Sequence, residues 1–344
     1  MTLGNISQKV AIDKKTGSNA NCLVDRFGRP TKGVRISVNP SKHCNFECFF
    51  CHKEGIQDDP SKTMTSLEIK RIVQILSKFG VNFVKLTGGE PMLRSDILDV
   101  VRNLGELQLK EISMTTNGTK LSQLAAQLKN YGLDRVNISL HSLKESRFQI
   151  ITGTKRLTET MQAIKSCVEA ELTPVKLNVV VMKGMNDDEV DDIIEYVSSL
   201  GGGDSAILQF IELVLEGEAN REFYNKYHVN LDSIEKKMRS LSTKEKVREM
   251  HFRHKYLLSN GVWVELVKPM HNSEFCMGNN RIRITYDGQF KPCLLRNDNH
   301  INFLSPARKG ASDEKLAELF KLAVQIREPF FKPSIPATQI NKLD

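Results

Sequence analysis

No stretch of these 344 residues approaches the ~20 consecutive apolar residues that a bilayer span needs. The first ten residues, MTLGNISQKV, lack the charged-then-apolar order of a secretory signal. Low-complexity tracts, long internal repeats and long basic runs are also missing. These absences set aside the membrane and secreted classes and lead to the expectation of a globular cytoplasmic protein. What charge there is leans positive: 49 basic against 41 acidic side chains, a net +8. That excess favours an anionic partner, and charge alone does not choose among nucleic acid, a membrane surface and a phosphorylated small molecule. Nothing else in the sequence supports the first two. The seven cysteines (Cys22, Cys44, Cys48, Cys51, Cys167, Cys276 and Cys293) are odd in number and unevenly scattered. They make a poor disulfide framework and a plausible ligand set.

Between residues 34 and 213 short β-rich runs alternate with amphipathic helical stretches, the pattern of parallel βα units. Strands are expected at 34–38, 81–86, 111–115, 135–140, 175–181 and 206–213. Thr65 and Glu68 form a capping-box signature, and Ile69, Ile72, Val73, Leu76 and Phe79 then recur at helical spacing until Gly80. Further helices are expected at 96–104, 121–128, 158–170 and 187–200. Six units fall short of the eight of a closed barrel. The expected fold is therefore α/β, an open partial (β/α)6 barrel over residues 21–223 with a smaller C-terminal α+β extension over 224–344. Within that extension a charged helix is expected at 232–250, a β-rich segment around Trp263 and 281–286, and a helix at 314–327 followed by an extended, Pro-containing end. Residues 1–20 are polar, and poor order is expected there. Cys167 sits on an amphipathic helix and reads as core.

The sharpest signal is Cys44-Asn-Phe-Glu-Cys48-Phe-Phe-Cys51, directly after the first strand. A loop can wrap thiols at this spacing around one face of an iron–sulfur cubane, leaving one iron open to an exchangeable ligand. A structural zinc site is the competing reading, although structural zinc normally takes four nearby ligands.

This spacing resembles the signature of the radical S-adenosylmethionine (SAM) superfamily. So do the sequences at later strand ends: Thr87-Gly88-Gly89-Glu90-Pro91, Thr115-Thr116-Asn117-Gly118, Ser139 with His141-Ser142-Leu143, Lys183 to Asp187, and Glu212-Leu213-Val214. The resemblance implies a [4Fe-4S] cluster on Cys44, Cys48 and Cys51 whose open iron chelates SAM. It implies SAM contacts at Phe50, Gly89, Glu90, Ser139 and Val214, with the Gly88–Glu90 segment receiving the SAM amino group. The chemistry it implies is reductive cleavage of SAM to methionine and a 5′-deoxyadenosyl radical.

Within the superfamily, the phrases LVDRFGR (23–29), RISV (35–38), KLTGGEP (85–91), LDRVN (133–137) and VKLN (175–178) resemble the GTP 3′,8-cyclase family of molybdenum-cofactor biosynthesis, and CHKEG (51–55) its archaeal branch. The implied activity is a lyase reaction: GTP becomes (8S)-3′,8-cyclo-7,8-dihydroguanosine 5′-triphosphate, with an electron donor as partner. The implied GTP contacts are Arg35, Lys85, Thr115, Lys176, Arg281 and Arg283. Positive side chains in a partly desolvated cavity suit a triphosphate.

The family holds a second [4Fe-4S] cluster through Cys-x2-Cys and a third cysteine thirteen residues on. Cys276 and Cys293 match the first and third ligands, and Asn279 stands at the second. A carboxamide is a poor replacement for thiolate on iron–sulfur. The second cluster is either absent or completed by Cys22, His271 or His300, and the sequence leaves both open. Val214 replaces a methionine usual in the family, and the chain ends Ile340 to Asp344 without the Gly-Gly tail many members carry. These departures keep two other readings in view: a radical SAM paralogue acting on another nucleotide or a peptide, and a non-catalytic nucleotide-binding protein. Oligomeric state and the identity of the reductant are not legible.

Overall fold

The computed structural model describes residues 22–55, 62–203, 205–215 and 217–332. The order expected of residues 1–20, the prolines at 333 and 336, and the last five residues lie outside that range.

Six strands run in parallel, each paired with the next: β1 (Gly33–Ser37), β2 (Phe83–Thr87), β3 (Glu111–Thr116), β4 (Arg135–Ser139), β5 (Val175–Val181) and β6 (Ala206–Glu212). Successive side chains on a strand point to opposite faces, and here the two faces differ in chemistry. Val34, Ile36, Val84, Leu86, Met114, Val136, Ile138 and Leu177 lie at or within 1% of full burial under the helices. The alternate positions are polar: Arg35, Lys85, Ser113, Asn137, Lys176 and Asn178 face the lumen.

The outer helices are α1 (Ser66–Ser77), α2 (Ile97–Gly105), α3 (Ala125–Asn130), α4 (Glu145–Thr152), α5 (Leu157–Glu169) and α6 (Val190–Ser199). The Thr65 capping box is present, with Thr65 Oγ1 accepting the Glu68 N–H and Glu68 accepting the Thr65 N–H. The face of α1 that meets the sheet is Ile69, Ile72, Val73 and Leu76, each contributing roughly 1.5–3 kcal/mol by burial. Helix α3 begins four residues later than its periodicity suggests, and α4 is an additional turn-rich helix closed by Gly153 at φ 73°.

After α7 (Arg221–Tyr227) and α8 (Asp232–Leu241) the chain forms β7 (Ser242–Val247), β8 (His254–Leu258) and β9 (Trp263–Val267). The single helix expected over 232–250 is thus corrected to a helix followed by a strand. Ile234 and Met238 are the buried positions of α8, and the next helical steps offer only exposed Leu241 and polar Ser242 and Glu245. With no apolar face left to bury, 242–247 pairs antiparallel with β8 instead. The remainder is α9 (Ser273–Met277), β10 (Arg281–Ile284), β11 (Gln289–Lys291), β12 (Ile301–Asn302), α10 (Leu304–Arg308) and α11 (Asp313–Gln325).

Among the described residues twelve strands form one open sheet, ordered β12-β11-β10-β1-β2-β3-β4-β5-β6-β9-β8-β7. Two strands of the C-terminal region extend the parallel set at its two edges, β10 beside β1 and β9 beside β6. The lumen is therefore walled by both halves of the chain.

Candidate active site

The three-thiol loop leaves the C-terminal end of β1 and is held by the neighbouring strand ends. Gly89 is packed so closely that a Cβ there would stand 2.3 Å from the His43 carbonyl oxygen and 2.5 Å from that of Pro40. Only glycine permits this approach. The Glu90 N–H donates to the His43 carbonyl at 2.8 Å, and Asn39 Nδ2 donates to the Glu90 carbonyl at 2.8 Å. The Glu90 carboxylate, itself buried, accepts from Met92 N at 2.9 Å, Thr116 Oγ1 at 2.6 Å and Asn117 N at 2.7 Å. Burial pushes its pKa up, and these three donors oppose that rise. Glu90 thus binds the ends of β2 and β3 together, and its carboxylate is fully engaged within the protein. Asn117 Nδ2 then donates to Asn45 Oδ1 at 2.8 Å, inside the thiol loop.

Cys44 and Cys48 are partly buried and Cys51 is exposed. The Cys44 thiol is pushed up to about 11, first by burial and further by Glu90 and Cys51. Cys48 is raised by burial and by the other two thiols. The three groups therefore converge closely enough to feel one another's charge, and a bound cation reverses the sign of that penalty. The N–H groups of Phe46 and Lys53 lie 3.4 Å from the sulfurs of Cys44 and Cys51, as suits thiolates. Among the described residues no three metal-binding side chains gather tightly enough for a single ion; a cubane takes each thiolate on a different iron. The donor set and the Gly89 cradle fit a site-differentiated cubane with SAM on its fourth iron.

Of the other residues expected at SAM, Phe50 lies within this loop, and Ser139 and Val214 stand at the ends of β4 and β6. The Phe50 ring meets His141 edge-on at 4.8 Å, and burial brings His141 down to about 4, so its imidazole is neutral near pH 7. Ser139 ends β4 in register with Asn178, and Val214 follows β6, partly buried.

Deeper in the lumen the expected basic residues come together. Arg35 and Arg283, neighbours across β1 and β10, both grip the buried Glu54 carboxylate, with Arg35 Nη2 2.9 Å from Glu54 Oε1. Burial alone would raise the pKa of Glu54, but the two arginines hold it far below the usual range. Lys85 is buried, donates to Asn137 Oδ1 at 2.9 Å, and has its pKa driven well down by burial and by Arg135 and Arg281. Thr115 faces the lumen in register with Asn137. Arg281 lies against Gly33, where a Cβ would stand 3.1 Å from Arg281 Cγ. It has no ion pair among the described residues, and burial brings it down to about 9.

Six participants were not anticipated as site residues: Glu54, Glu111, Arg135, Arg248, Arg253 and Glu265. Glu265, on β9 and wholly buried, accepts Lys176 Nζ at 2.5 Å and Arg248 Nη1 at 3.1 Å, with Arg253 Nε 3.0 Å away. Arg135 forks onto Glu111 with two contacts of 2.8 Å. The chamber thus collects Arg35, Lys85, Arg135, Lys176, Arg248, Arg253, Arg281 and Arg283 against the carboxylates Glu54, Glu111 and Glu265. The Nε of Arg35 is buried without a hydrogen-bond acceptor. A desolvated chamber with more cations than carboxylates and an idle guanidinium N–H is complementary to an anion.

At the other end of the chamber, α9 precedes β10 and carries Cys276, which senses Cys293 across the site. Asn279 does not offer a third ligand: its Oδ1 accepts the Arg281 N–H at 3.0 Å. Two thiols and an engaged carboxamide do not fit a three-thiolate cubane. Of the alternative ligands, Cys22 packs its backbone against Gly80, His271 packs on Phe331, and His300 Nε2 lies 3.4 Å from Lys291 Nζ.

Comparison with known proteins bears on the fold and the family. The Radical SAM superfamily matches residues 38–197, and the Molybdenum Cofactor Synthesis C family matches residues 206–333. A probable GTP 3′,8-cyclase of Thermococcus kodakarensis is 46% identical over 90% of this chain and 100% of its own length. One from Thermoplasma volcanium is 45% identical over 90% and 93%. Among solved structures, Streptococcus suis SuiB bound to S-adenosylmethionine superposes with a TM-score of 0.58 at 16% identity, over 80% of this chain and 64% of SuiB, so this chain spans under two thirds of that protein. Native anSMEcpe with bound AdoMet gives 0.56 at 17% identity, over 83% and 79%. These two likenesses speak for the fold. No helix among the described residues is long and apolar enough to cross a membrane. By its sequence relatives, its two domain matches and its open parallel sheet, the chain belongs to the GTP 3′,8-cyclase family of radical SAM enzymes.

Proposed function

We propose that this chain is a radical SAM lyase that joins C3′ of the GTP ribose to C8 of the base, a step of molybdenum-cofactor biosynthesis. The observation that carries the proposal is the cationic chamber beside the three-thiol loop, with more positive than negative side chains and an idle guanidinium N–H on Arg35. Cys44, Cys48 and Cys51 would hold the cluster, and the Gly88–Glu90 backbone, Phe50, Ser139 and Val214 would frame SAM. When bound and reduced by an external electron donor, that pair supplies a radical able to abstract a ribose hydrogen.

The rest of the work belongs to the protein's own groups. Lys176, Arg281 and Arg283 hold the triphosphate, with Arg35, Lys85 and the Thr115 hydroxyl completing its surroundings. Gly33, having no Cβ, leaves room for the Arg281 side chain across the strand pair. The side chains of Lys85, Lys176 and Glu265 are nearly dry, so charge recognition here is not screened as it is in water. A fixed substrate matters because a carbon radical reacts with whatever lies nearest, and positioning selects C8 as its target.

The deciding experiment is anaerobic incubation of the reconstituted protein with SAM, a strong reductant and GTP, following 5′-deoxyadenosine and the cyclised nucleotide together. Formation of both establishes the reading. Slow 5′-deoxyadenosine release that GTP neither accelerates nor converts to a new nucleotide removes the GTP assignment and leaves the radical machinery.

A further inference from the structure

We infer that this chain works with one four-iron cluster, on Cys44, Cys48 and Cys51, and that Asn279 is a positioning residue for strand β10 rather than a ligand to a second cluster. The inference starts from the proposed function, since that reading places the first cluster, and it concerns only the residues at the opposite end of the chamber.

The turn between α9 and β10 is fixed on every side. Arg29 Nη1 donates to the Cys276 carbonyl at 2.9 Å, and Arg327 Nη2 donates to the Asn279 carbonyl at 3.0 Å. Both arginines are buried and share the Asp25 carboxylate, with Nε contacts of 2.8 and 2.9 Å. The Asn279 N–H donates to the Cys276 carbonyl at 3.3 Å. Within this frame the Asn279 carboxamide oxygen receives the backbone N–H of Arg281 at 3.0 Å, the local side-chain-to-backbone bond that suits asparagine at a turn. Turning that oxygen toward iron would leave the Arg281 N–H, at the first position of β10, without its acceptor.

The thiols point the same way. The Cys276 sulfur accepts the backbone N–H groups of Phe331 and Phe330 and has Cys293 as a neighbouring thiol. A cubane with one open iron needs three protein ligands, and thiolate is the ligand it takes. Two thiols and an oxygen already bonded to the backbone leave it one ligand short. What Asn279 does instead is set the start of β10, and β10 carries Arg281 and Arg283 into the chamber.

The test is iron and acid-labile sulfide analysis of the full-length protein after anaerobic reconstitution, with Mössbauer and EPR spectra, beside the Cys44→Ala/Cys48→Ala/Cys51→Ala variant. About four irons per chain are expected in the wild type, and essentially none, with no cubane EPR signal, in the variant. About eight irons in the wild type, or a cubane signal surviving in the variant, overturns the inference. No iron uptake by the wild type overturns it together with the proposed function. A wild type with about four irons that fails to convert GTP sinks the proposed function alone. The wild-type count decides the matter even if the triple variant does not fold.

Discussion

Lys176 and Glu265 meet at 2.5 Å with their side chains 5% and 0% exposed, bridging β5 and β9 across the intervening β6. The carboxylate also faces Arg248 and Arg253, so a single buried anion is shared by three cations.

Glu265→Gln should therefore be severely destabilising. Removing one member of a buried ion pair leaves the other uncompensated, at about 3–5 kcal/mol. Chemical denaturation of the folded variant reads this directly. A loss below about 1 kcal/mol would mean that water already reaches the cluster of charges.

Arg281→Ala should weaken the substrate and spare the radical source. A charge-assisted hydrogen bond contributes roughly 1.5–3 kcal/mol, which is roughly ten- to hundredfold in KM for GTP. Steady-state kinetics should show that rise, while the slow release of 5′-deoxyadenosine without GTP stays at the wild-type rate. An unchanged KM would remove Arg281 from the triphosphate site.

Gly89→Ala should lower iron content. The new Cβ meets two backbone carbonyls of the thiol loop, and backbone cannot step aside as a flexible side chain can. Iron per chain after reconstitution should fall well below wild type, whereas Gly310→Ala, where a Cβ meets nothing within 4 Å, should retain it. Equal iron in both variants would show that the loop tolerates displacement.

Acid should erode stability through Glu111. Burial would raise this carboxyl, but the Arg135 fork, together with nearby Lys85 and Arg281, outweighs burial and brings it from 4.5 down to about 2. A carboxylate whose pKa is depressed on folding contributes stability that is complete above the unfolded value and lost as pH falls through the folded one. Unfolding free energy should thus decline between those two values, and Arg135→Gln should flatten that decline. Parallel slopes for the two proteins would refute the assignment.

The thiol loop, the Gly-Gly-Glu-Pro turn and the six parallel strands were legible because each is a local pattern: a spacing, a turn signature, an alternation. The basic residues on β1, β2, β5 and β10 were found through resemblance, and the structure brings them into one lumen. Arg248 and Arg253 were missed for a physical reason. The charged stretch after Met238 reads as helix through Arg248 until β8 is there to pair with it, and Arg253 lies in the short connection between β7 and β8, whose course follows only from that pairing. Glu265 did leave a trace, a lone carboxylate inside the apolar run Trp263-Val264-Glu265-Leu266-Val267, where a buried charge demands a partner. Glu54 left none, because its partner Arg283 lies 229 residues away.

That separation bears on how the molecule comes into being. The ribosome releases β1 to β6 well before β10, so the early chain holds a sheet whose first strand has one side unpaired and whose Arg35 lacks its companion arginine across the carboxylate. Long-range pairing of this kind is slow and leaves strand edges exposed while it waits. The cationic chamber is consequently completed only after the thiol loop and the six parallel strands have been made, and a chain truncated before residue 281 would keep the loop but lose Arg281 and Arg283 from the lumen.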